Sequence, residues 1–159
     1  MRAALASLLV ASLAGASSGY TIVAGPDRNA ERIGAYRFGS DPTYAAAVKA
    51  FGRPTSVTAT CVARWSKLGL ELRFGPACAG WIGATVSSGP WRTAAGLRVG
   101  DTLARLRRLY PAARYVTPAW LLVYRRGEVG LTVYLQAFVR AGRVTALDLP
   151  PGNVSVARS

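Results

Sequence analysis

One order of local signals occurs twice along this chain, and it constrains the fold more than any single motif does. The first copy begins at Tyr36-Arg37-Phe38-Gly39-Ser40-Asp41, continues through a helix-like stretch Pro42 to Phe51, and passes Gly52-Arg53-Pro54 into three strand-like runs. The second begins at Trp91-Arg92-Thr93 and Gly96-Leu97-Arg98-Val99-Gly100-Asp101, continues through Thr102 to Tyr110, and passes Pro111 into three more. Ser40, Asp41 and Asp101 are placed to cap the orphan amides of a first turn. Pro42 suits a first helical position, and a proline follows the end of each stretch. Tyr44, Val48 and Phe51 form one apolar stripe, and Leu103, Leu106 and Tyr110 another, so each helix has one face to lay on a sheet. Arg105 and Arg108 fall on the outer face of the second helix, where Asp101 and Arg105 are spaced as an i, i+4 pair.

The runs between these helices alternate in the manner of a half-buried antiparallel sheet. Val57, Ala59, Cys61, Ala63 and Trp65 share one face; Leu70, Leu72 and Phe74 point one way while Glu71 and Arg73 point the other; Ile82, Ala84 and Val86 form a third run. The second copy supplies Trp120–Tyr124, a turn at Arg125-Arg126-Gly127, the run Leu131 to Val139, a turn at Ala141-Gly142, and Val144–Leu149. The expected fold class is α+β: two tandem α-β-β-β units in an antiparallel sheet, with both helices packed on one face. The expected boundaries are a half at about 34–90, a half at about 91–149, and a tail at 150–159.

Ahead of this unit, Arg2, the apolar run Ala3 to Ala14 and the small residues Ala14-Gly15-Ala16 have the layout of an export signal removed after residue 16. The run is too short for a bilayer, which needs about 20 apolar residues. Residues 17–159 are then expected to be a secreted globular domain, without the lipid-accepting cysteine of a lipoprotein. In that oxidising setting two cysteines, Cys61 and Cys78, read as one disulfide. A zinc site would need more ligands, and the chain has no histidine to supply them.

That absence of histidine also removes the commonest general base and the usual serine triad. No phosphate-cradling loop, dinucleotide fingerprint or metal-ligand cluster is present, so neither a cofactor nor a metal is expected. Asp27, Glu31, Asp41, Glu71, Asp101, Glu128 and Asp148 are scattered one per element, and nothing in the sequence pairs two of them across a cleft as a glycosidase requires. The chain is therefore expected not to be an enzyme. Its 20 Lys and Arg against 7 Asp and Glu give a net charge of +13. Only Lys49 and Lys67 are lysines, a bias for which arginine-favouring coding accounts more fully than a need for bidentate contacts. A field this positive attracts anionic partners. For an exported chain those are wall polymers, lipid head groups or an acidic protein rather than nucleic acid. Asn153-Val154-Ser155 reads as a chance match to the glycosylation pattern.

Gly96-Leu97-Arg98-Val99-Gly100-Asp101, opening an amphipathic helix, resembles the start of SmpA/BamE-type lipoprotein modules. The tandem helix-plus-sheet halves resemble β-lactamase inhibitory protein. Cys61, Trp65, Leu68-Gly69-Leu70, Phe74, Cys78 and Trp91-Arg92-Thr93 are similar to a family of secreted proteins of high-GC bacteria. The inhibitor-like layout implies a sheet face left open for a protein partner, with aromatic and arginine side chains as anchors. Of Trp65, Trp81, Trp91 and Trp120, Trp81 is the one out of register with Ile82, Ala84 and Val86. The expected binding residues are Trp81, Arg64, Arg73, Arg92 and Arg125. The expected function is a non-catalytic extracytoplasmic binding protein holding a protein or an anionic envelope polymer. The alternatives are a small wall hydrolase working through an Asp/Glu pair and a structural envelope protein without a specific ligand.

Overall fold

Strands dominate the structure, a computed structural model that describes residues 18–40, 42–127 and 130–150. Three short strands come first: β1 (Thr21–Val23), β2 (Arg32–Ile33) and β3 (Tyr36–Arg37). Helix α1 (Tyr44–Phe51) leads into β4 (Ser56–Val57), β5 (Val62–Trp65), β6 (Leu70–Phe74) and β7 (Trp81–Val86). After β8 (Arg92–Thr93), helix α2 (Leu103–Leu109) leads into β9 (Arg114–Val116), β10 (Ala119–Arg126), β11 (Leu131–Arg140) and β12 (Arg143–Leu149). Eight of these strands form one antiparallel sheet in the order β4-β5-β6-β7-β12-β11-β10-β9; the other four form a small sheet, β3-β2-β1-β8, in which β1 runs parallel to β8.

This corrects the expected α+β class. The molecule is mainly β, with two sheets rather than one, and tandem α-β-β-β units do not describe it. The reason is local. The run Ser56–Trp65 is not one alternating strand but a tight hairpin. Thr58 and Val62 bond across its turn, and Cys61 takes a left-handed φ of 57°. Strand β9 and the three strands before α1 are too short for an alternation to declare itself. The caps also differ from expectation: Thr43 and Thr102 accept from the amides of Ala46 (3.1 Å) and Arg105 (3.2 Å). Asp101 instead accepts from the amide of Arg98 (2.8 Å) and pairs with Arg105 (3.1 Å). Asp41, the export signal, and residues 151–159 of the tail with Asn153 lie outside the described residues.

One face of the large sheet holds the core. Trp65, Leu70, Leu72, Phe74, Ala84, Val86, Leu147 and Leu149 are buried on it. Both helices and the small sheet pack on that side. Tyr44 of α1 meets Phe74 edge-on, and Phe51 meets Trp65 and Trp91. Leu106 of α2, together with Ile22, Ile33 and Tyr36 of the small sheet, completes the same cluster. Trp91 is anchored further by donating its Nε1–H to the carbonyl of Leu68 (2.6 Å). The disulfide joins Cys61 to Cys78, with 5.2 Å between their Cα atoms. It ties the β4–β5 turn to the segment following β6.

Candidate functional site

The other face of the large sheet carries no described helix or strand. Register places one residue from every strand in a row across it: Ser56, Arg64, Glu71, Thr85, Asp148, Gln136, Leu121 and Arg114. The middle of this row is a closed polar network. Arg64 Nε donates to Glu71 Oε2 (2.8 Å), and Arg73 lies between Glu71 Oε1 (3.6 Å) and Asp148 Oδ1 (2.9 Å). Asp148 also accepts from Thr85 Oγ1 (2.7 Å) and Gln136 Nε2 (2.9 Å). Arg73 Nη1 donates to Thr85 Oγ1 at 2.6 Å. A carboxylate that is 7% exposed requires such a set of partners, because burying an unpaired charge is strongly unfavourable.

Arg73 reaches its place only because its cross-strand neighbour is Gly83. A methyl group there would sit 2.7 Å from Arg73 Nη2, so the guanidinium lies where a side chain would be. Glycine inside a strand commonly marks such a close approach.

Of the residues expected to bind, Arg64 and Arg73 therefore lie on the open face, side by side with Glu71. Arg125 is also exposed, but it stands two strands beyond Asp148 on β10, opposite Thr132. Arg92 belongs to the small sheet, opposite Thr21. Trp81 is not on the open face. A bulge between Gly83 and Trp81 shifts the pairing so that Trp81 stands opposite Phe74, and Phe38 stacks on it at 3.9 Å with rings 7° from parallel. Ile82, expected inside, is 43% exposed instead. A single inserted residue reverses the parity of everything beyond it. Trp81 Nε1 is left buried without an acceptor among the described residues.

Sequence reasoning did not single out Thr85, Gln136, Asp148 or Gly83. The strand alternation placed Glu71 and Arg73 facing away from the core, and a register would have placed Thr85 and Asp148 beside them. That register depends on β7 pairing with β12, which sets Thr85 beside Asp148 across 63 residues of chain, and no local signal reports it.

Elsewhere, burial pushes the Glu31 carboxyl above its usual range, with the Gly25 amide and Arg28 opposing and Asp27 adding to the effect. Burial likewise raises the Tyr110 hydroxyl, against hydrogen bonds from the Thr93 side chain and the Ala95 backbone. No group of three or more Cys, Asp or Glu side chains that could hold a metal exists among the described residues, and no described helix is long and apolar enough to cross a membrane. No known protein family, curated protein or solved structure matches this chain.

Proposed function

We propose that this is a non-catalytic extracytoplasmic binding protein that holds a partner protein on the open face of its large sheet. The observation that carries the reading is the row from Arg64 to Gln136: a sheet face that no described helix or strand covers, whose polar side chains are already fixed by one another. Preorganised groups lose little conformational freedom on docking, which favours affinity. The arginines of the row are matched by Glu71 and Asp148. The middle of the face thus offers alternating charge rather than free positive charge, and it suits a protein surface better than a polyanion. The disulfide fits an oxidising compartment. The non-catalytic reading is supported by the state of the two carboxylates here, because Arg73 bridges both and three donors occupy Asp148.

The test is site-specific photo-cross-linking against extracytoplasmic proteins of the producing cell. A photoreactive side chain replaces Arg64, Gln136 or, as a control on the outer face of α1, Ala45. A discrete adduct should form from Arg64 and Gln136 and not from Ala45. It should persist at about 1 M salt, where the Debye length falls to about 3 Å and surface attraction is screened. Adducts from no position, or equally from Ala45, would overturn the proposal.

A further inference from the structure

A second exposed cluster lies on the helix side of the large sheet, at its β9 edge. Tyr115 is 53% exposed and stands directly opposite Trp120 on β10, with ring centroids 5.5 Å apart and planes tilted by 48°. The Arg107 guanidinium of α2 covers Trp120, 4.9 Å from the ring centroid. Arg108 on the same helix is exposed as well. Among the described residues, Arg107 and Arg108 have no carboxylate partner, unlike Arg64, Arg73 and Arg105.

We infer that this edge is a binding site for an acidic polysaccharide, one whose sugar rings carry carboxylates. The apolar face of a sugar ring fits on the free side of Tyr115, and its carboxylate falls to the arginine fork, which matches carboxylate geometry in two parallel hydrogen bonds. Stacking Arg107 on Trp120 holds that fork in place and leaves its N–H edges outward. The geometry separates this ligand from two other polyanions. Among the described residues this edge offers a single free ring, Tyr115, since Arg107 covers Trp120, whereas a single-stranded nucleic acid stacks successive bases on several rings. Among the described residues Tyr115 is the one large apolar side chain exposed at this edge, which is too little apolar area to insert into a lipid interface. This site shares no residue with the row from Arg64 to Gln136, so the two proposals stand or fall separately.

The test is fluorescence polarisation with a labelled hexamer of galacturonic acid. The wild-type chain should bind it, with affinity falling as salt rises. Tyr115→Ala should weaken binding about 5–10-fold through loss of stacking. Arg107→Gln should weaken it comparably and flatten the salt dependence, as losing one ionic contact does. Arg53→Ala, which removes one exposed charge elsewhere, should leave binding unchanged. Equal binding of the fully methyl-esterified hexamer would overturn the inference, because the carboxylate would not be read. Equal or tighter binding of a six-residue oligothymidylate would overturn it in favour of nucleic acid or unspecific charge. No binding of the acidic hexamer at low salt would overturn it outright.

Discussion

At the scale of single residues, Asp148 is the centre of the open face. It is the most deeply buried polar member of the row, and its three donors come from three different strands, β6, β7 and β11. Removing it leaves Arg73 without its closest counter-charge in a partly desolvated place, so Asp148→Ala should destabilise the fold by roughly 2–4 kcal/mol. Gly83→Ala approaches the same contact from the other side. The guanidinium is the flexible end of its side chain, so it can swing away and the backbone need not move. A smaller loss is expected, of about 1 kcal/mol, through loss of the Arg73–Asp148 bond. Because both changes act through one contact, their effects should be markedly less than additive in urea unfolding of the single and double variants. Full additivity would mean that Arg73 does not lie across Gly83 as described.

At the scale of elements, the disulfide and the bulge show what could be read from the sequence and what could not. Both helices were legible because apolar spacing within eight residues is a local property, and the hairpin turns at Lys67-Leu68-Gly69 and Ala141-Gly142 announced themselves through glycine. Cys61–Cys78 was legible from the cysteine count and the expected compartment. The bulge in β7 was not, since Trp81-Ile82-Gly83 carries no signal that one residue there will go unpaired; Trp81 and Ile82 consequently exchanged their expected environments. Likewise Arg64 and Arg73 were legible as outward-facing residues, while the Thr85 hydroxyl and the Asp148 carboxylate that hold Arg73 waited on pairings further along the chain. The disulfide bears directly on stability. It closes a loop with a sequence separation of 17, and such closure contributes roughly 3 kcal/mol by restricting the unfolded chain. The double variant Cys61→Ser, Cys78→Ser should lose about that much in equilibrium unfolding, and a change below about 0.5 kcal/mol would show that the β4–β5 turn is held by its hydrogen bonds instead.

At the scale of the whole molecule, the large sheet is two four-strand meanders laid edge to edge, β4 to β7 on one side and β9 to β12 on the other, in mirrored order. Their seam is short. Three residue pairs join β7 to β12: Val86 with Leu147, Thr85 with Asp148, and Ala84 with Leu149. Backbone pairing of that length is slender, yet the flanking pairs, Val86–Leu147 and Ala84–Leu149, face the core and the middle pair faces the open side. The seam is thus clamped by apolar packing beneath and by the Arg73–Asp148 network above. The buried cluster runs continuously across it from Ala63 and Trp65 to Leu135 and Ala137. A continuous core should make the halves one cooperative unit rather than two. Native-state hydrogen exchange is the direct measurement: the most protected amides of β6 and β11 should open with the same free energy, equal to that of global unfolding. In Asp148→Ala both should fall together by the amount that the variant loses in urea. If β11 kept its protection while β6 lost it, or the reverse, the halves would be unfolding independently. The polar row would then be decorating the seam rather than holding it.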